Sequence, residues 1–95
     1  MQITTETLDR WLRHRPSAEF CRDHNGAFTH TLSRCSEGVK LITSYRDRKA
    51  LPDVETDPLP LTWPVKKLAL FFCHSRGVKL TPEAFIWGDG IWIQN

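Results

Sequence analysis

The sequence lacks most of the features that would name a compartment or a chemistry. No apolar run approaches the roughly 20 residues of a membrane span. Met1-Gln2-Ile3-Thr4 leads straight into a charged amphipathic segment with no secretory pattern. Cys21, Cys35 and Cys73 are odd in number and irregularly spaced, which argues against a disulfide framework and for a protein of a reducing cytoplasm. The serine-elbow pattern GxSxG, the metalloprotease pattern HExxH and any phosphate-cradling glycine loop are also missing. Carboxylates cluster only at Asp53, Glu55 and Asp57, among prolines, in what reads as an extended solvated loop. With no assembled constellation, neither catalysis nor a cofactor is expected.

Charge of one sign is scarce as well. Thirteen Lys and Arg against eleven Asp and Glu leave a formal charge of +2, too small for a dedicated nucleic-acid binder. Residues 1–50 hold nine Lys and Arg against six acids, and residues 51–95 hold four against five, so any basic surface should come from the N-terminal half. No repeat or low-complexity tract divides the 95 residues, and a single domain spanning 1–95 is expected. What is present in unusual supply is tryptophan, with four residues.

The most legible element is the segment 63–76. Thr62 suits an N-cap, Trp63 and Pro64 a first turn, Arg76 the last turn, and Gly77 a left-handed C-cap. At about 100° per residue, Val65, Leu68, Ala69, Phe72 and Cys73 form one apolar face. The opposite face holds Lys66, Lys67 and His74, with Leu70 between them and Phe71 alongside. A second helix is expected over 4–15, with Thr4 as N-cap, Ile3 and Leu8 as a staple, and Glu6–Arg10 and Asp9–Arg13 as ion pairs. Pro16 ends it, and Ser17 would cap a short helix from Ala18 to His24.

From Ala27 the apolar period changes to two. Pairing Arg34 with Val39 sets Leu32 opposite Leu41 and Phe28 opposite Tyr45, so one register satisfies both apolar rows of a hairpin over 27–45. Residues 46–61 have no periodicity and three prolines, and read either as a functional loop or as a plain connection. Thr81-Pro82-Glu83 signals a short helical turn. Asp89-Gly90 signals a type I′ turn that would pair Trp87 with Trp92 and Ile86 with Ile93. Together these imply an α+β fold: an antiparallel sheet of three to four strands, from the hairpin 27–45 and a C-terminal hairpin 85–94, packed against a central helix 63–76 and an N-terminal helix 4–15.

Three functional readings follow. The economical one is a small non-catalytic regulator or inhibitor that docks on a larger protein as a monomer or homodimer, with no membrane involved. Aromatics and arginines are the side chains that interface hot spots favour, and here they nominate Leu70, Phe71, His74, Arg46, Arg48, Lys49, Trp87 and Trp92. Size and composition resemble phage and mobile-element inhibitors of host nucleic-acid machinery, by analogy alone. The second reading is nucleic-acid binding through Arg13, Arg15, Arg22, Arg34, Lys40, Arg46, Arg48 and Lys49, with Tyr45 and Phe28 as stacking groups. The third is a zinc-stabilised adaptor. Cys21 and His24 would share a helical face and Cys35, Cys73, His30 or His74 would add ligands, although three separate core thiols are the simpler account.

Overall fold

In the computed structural model, which describes residues 6–46, 51–88 and 91, the chain runs through α1 (Leu8–Trp11), β1 (Ser17–Asp23), β2 (Phe28–Cys35), β3 (Gly38–Tyr45), β4 (Val54–Glu55), α2 (Val65–Arg76), a single 3₁₀ turn (Pro82–Ala84) and β5 (Phe85–Trp87). The strands form one five-stranded sheet in the order β4-β3-β2-β1-β5, and every neighbouring pair is antiparallel. The fold is α+β, with one more strand than the sequence suggests. Among the described residues no helix is long and apolar enough to cross a membrane.

The central hairpin takes the register that its alternation demands. Phe28 faces Tyr45, Leu32 faces Leu41 and Arg34 faces Val39. His30, Leu32, Val39, Leu41 and Thr43 are all buried on the inner face, where α2 lies. From the helix, Val65, Leu68, Ala69, Phe72 and Cys73 enter the same core, which is the stripe its periodicity marks. Ring edges lock the two layers: Phe72 lies 6.0 Å from Phe20 and 4.9 Å from Phe85, centroid to centroid, contacts worth roughly 0.5–1.5 kcal/mol each beyond their burial.

Several local expectations are corrected. Residues 18–24 are not helical, because Ser17–Asp23 is the strand between β2 and β5. Its pairing with β2 slips between Glu19 and Cys21, so Phe20 and Cys21 both turn inward and are fully buried. That bulge breaks the period of two. The N-terminal helix is also shorter than 4–15. Thr7 is its cap, accepting from the Arg10 N–H at 3.4 Å, and Glu6 before it is used elsewhere. The Val65 N–H donates to the Glu6 carbonyl at 2.7 Å and the Leu8 N–H to the Trp63 carbonyl at 3.1 Å, so a single antiparallel bridge between Thr7 and Pro64 ties the start of α1 to the start of α2. The staple at Ile3 and the cap at Thr4 lie outside the described residues. Asp9 meets Arg34 on β2 at 3.1 Å rather than Arg13.

The same stitching replaces the Thr62 cap of α2. The helix begins after Pro64 with no side-chain cap, and the Glu6 carbonyl takes one of its orphan donors. Gly77 is extended, with φ at 161°, not left-handed. The proline-rich connection is laid along the sheet edge. Val54 and Glu55 pair with Thr43 and Ile42, and Leu59 and Val39 exchange backbone hydrogen bonds of 2.7 and 2.9 Å. Of the C-terminal hairpin, the first strand is β5. It pairs with β1 through Trp87 opposite Cys21. Its turn at 89–90 and the pairing with Trp92 and Ile93 lie outside the described residues.

Candidate functional site

The inner side of α2 is spent on the core, which leaves a compact outer face. Leu70 projects from it with 48% of its surface exposed, between the exposed Lys66, Lys67 and His74. Phe71 is half-buried and packs edge-on against Trp63 at 5.7 Å. Lys67 Nζ stands 4.3 Å above the Trp63 ring, a cation–π contact worth about 0.5–1 kcal/mol at an exposed site. A large aliphatic group, an aromatic pair and three basic side chains thus share one helix face.

The other nominated residues do not join them. Arg46 leaves β3 on the opposite side of the sheet and shares a depression with the outward-facing Thr29 and Thr31. Trp87 is half-buried and committed locally: its ring lies 5.0 Å from Phe20 and its Nε1–H donates to the Pro82 carbonyl at 2.8 Å. Arg48, Lys49 and Trp92 lie outside the described residues.

The candidate zinc ligands are dispersed. Cys21 and Cys73 are buried, whereas Cys35 is half-buried at the far end of β2, opposite Gly38. With Ser17–Asp23 a strand and His24 in the turn that follows it, Cys21 faces the core while His24 lies exposed, its Nε2 3.2 Å from the Glu83 carbonyl. Among the described residues no three His, Cys, Asp or Glu side chains converge as metal ligands would. Burial pushes the Cys21 thiol well above its ordinary range, and the neighbouring Cys73, Asp23 and Glu19 push the same way. Burial likewise raises Cys73. Both are thus held as neutral thiols, the unreactive form.

Two features were not legible in advance. One is a groove of about 570 Å³ at the β1–β5 end, lined among others by Trp11, Arg15, Ala18, Glu19, Ile86 and Trp87. Arg15 lies 5.5 Å from the Trp11 ring there. Its floor is β1, so the helical reading of 18–24 concealed it. The other is the environment of His30. The alternation placed His30 inward, and it is fully buried, with Nδ1 2.9 Å from Thr43 Oγ1. Among the described residues its Nε2 has no hydrogen-bond partner, and Asp23 Oδ1 stands off at 3.7 Å. Burial, aided by Arg76 and opposed by Asp23, lowers its pKa to about 4. The imidazole is therefore neutral at neutral pH and acts as a core side chain. No protein family, curated protein or solved structure matches the chain.

Proposed function

We propose that this chain is a small non-catalytic regulator that docks on a larger protein with the outer face of α2. The observation that carries the reading is Leu70. An aliphatic side chain half exposed beside the Trp63–Phe71 pair is a ready-made apolar centre, and Lys66, Lys67 and His74 supply a basic rim. Interfaces favour that arrangement of apolar core and polar rim. The complementary partner presents an apolar patch bordered by carboxylates. Three free thiols, two of them deep in the core, suit a reducing cytoplasm. A host enzyme that handles nucleic acid, inhibited by a phage-like protein, is one partner of the required kind.

The test is affinity capture of the full chain from a lysate, followed by titration of the recovered partner. Leu70→Asp should weaken that partner's affinity at least tenfold while leaving the far-ultraviolet dichroism unchanged, because the side chain is already half in water. A partner held equally by wild type and Leu70→Asp would reject this face.

A further inference from the structure

The side of the sheet facing away from α2 carries a separate arrangement. Arg22 on β1 is directly opposite Thr29 on β2, and Thr29 is directly opposite Ser44 on β3. Side chains paired in this way have Cβ atoms about 4.5–5.5 Å apart, so a guanidinium and two hydroxyls form one outward row. Thr31 is two residues along β2 on the same face. Arg46 follows Ser44 by two, and its N–H donates to the Ala27 carbonyl at 2.9 Å. These side chains, with Gly26 and Tyr45, line a depression of about 350 Å³.

Three observations distinguish the depression from ordinary wetted surface. Gly26 has φ +70°, and a Cβ there would stand 2.8 Å from Arg46 Nη2, so this glycine gives both the turn and the seat on which the guanidinium rests. Among the described residues no carboxylate or carbonyl takes up that guanidinium, and Arg22 reaches Glu19 Oε1 only at 3.7 Å in an exposed pair. The hydroxyls of Thr29, Thr31 and Ser44 are likewise without an intramolecular hydrogen bond among the described residues, although all three residues are half-buried. Donors are thus gathered and left over. Guanidinium forks match the spacing of phosphate oxygens, and charge-assisted hydrogen bonds are about twice as strong as neutral ones.

We infer that the depression between Arg22 and Arg46 is a binding site for a small phosphate monoester, gripped by the two guanidinium groups and the hydroxyls of Thr29, Thr31 and Ser44. The phosphate supplies the negative charge that Arg46 lacks, and Arg22 can turn to it from its loose, exposed pair with Glu19. The positive field is local: Glu19, opposite Thr31, borders the depression on one side, and Glu55, opposite Ile42, lies beyond it. A polyanion running along the sheet would meet those carboxylates. Tyr45, at the rim, packs against Phe28 with ring centroids 4.7 Å apart and planes inclined at 68°. The site lies across the sheet from Leu70 and stands independently of the docking reading.

The test is an amide-shift titration of the uniformly ¹⁵N-labelled full chain with inorganic phosphate, with glycerol phosphate and with a single-stranded oligodeoxynucleotide, at ionic strength held constant with sodium chloride. Saturable shifts should appear with both small phosphates, confined to residues 22, 26–31 and 44–46. Arg46→Ala and Arg22→Ala should each weaken the glycerol phosphate affinity at least fivefold. Both arginines are exposed, and a dispersed spectrum verifies that each variant is folded. Absence of saturation at millimolar phosphate, shifts reproduced by chloride alone, or binding unaffected by both substitutions would overturn the assignment. Preference for the oligonucleotide, with an affinity that falls steeply with salt, would overturn it in favour of a polyanion surface.

Discussion

An imidazole walled by Phe72 at 4.6 Å and Phe85 at 6.0 Å has little to gain from a proton. The groups that face His30 come from three strands and the helix: Asp23 and Cys21 on β1, Thr43 on β3, Phe85 on β5, and Phe72 with Arg76 on α2. Asp23 is the one neighbour that would welcome the charge, and at 3.7 Å it is outweighed by burial and Arg76. The linkage has a definite sign. The folded pKa of about 4 lies below the ordinary 6.5, so the unfolded chain binds this proton more tightly. The contribution is complete above pH 6.5 and is lost as pH falls towards 4. It amounts to about 3 kcal/mol at most. Urea unfolding at pH 7.0, 5.5 and 4.5 should show that loss, and His30→Leu should flatten it over the same window. An unchanged slope in the variant would place the acid sensitivity on another group.

At the scale of elements, the seam between β3 and the proline-rich connection depends on one glycine. Gly38 has φ +150°, and a Cβ there would run into the Leu59 carbonyl oxygen, the acceptor for the Val39 N–H. Gly38→Ala should therefore cost at least about 2 kcal/mol, combining backbone strain with a displaced strap. Gly77→Ala should be near neutral, because its backbone is extended and a new Cβ would meet only Leu80 at an ordinary 3.7 Å. Chemical denaturation of the two variants checks the contrast, and equal effects would contradict it. The sequence pointed to Gly77, not Gly38, and the difference shows where sequence reading stops. Periodicity reported the β2–β3 register and the buried stripe of α2 because each is a repeating burial pattern within one segment. It missed β1, where a bulge sets Phe20 and Cys21 inward together, and it missed the start of α2, where the Glu6 carbonyl takes up the Val65 N–H in place of a side-chain cap. Leu70 was legible as an anomaly on a regular face. The Arg22–Arg46 depression was not, since its members come together only through the pairing of three strands.

Across the whole molecule, the thiols divide by depth and so report on global opening. Cys21 and Cys73 sit inside the cluster that α2 and the sheet share, fully buried and 4% exposed respectively, with both thiols held protonated by burial. Cys35 is half-buried at the hairpin end, outside that core. Reaction needs both access and thiolate, and the inner pair gains these only when the layers separate. A disulfide reagent under native conditions should label one thiol promptly. The other two should follow at a rate set by unfolding, which urea accelerates and any ligand of the folded chain slows. In denaturant all three should react together. Prompt native labelling of Cys21 or Cys73, identified by mass after digestion, would mean that α2 lifts from the sheet without global unfolding. The helix face around Leu70 would then be a mobile surface rather than a fixed one. Slow labelling would instead mean that the Trp63–Phe71–Leu70 face is fixed in the free protein, so that the docking proposed for it would spend little conformational entropy.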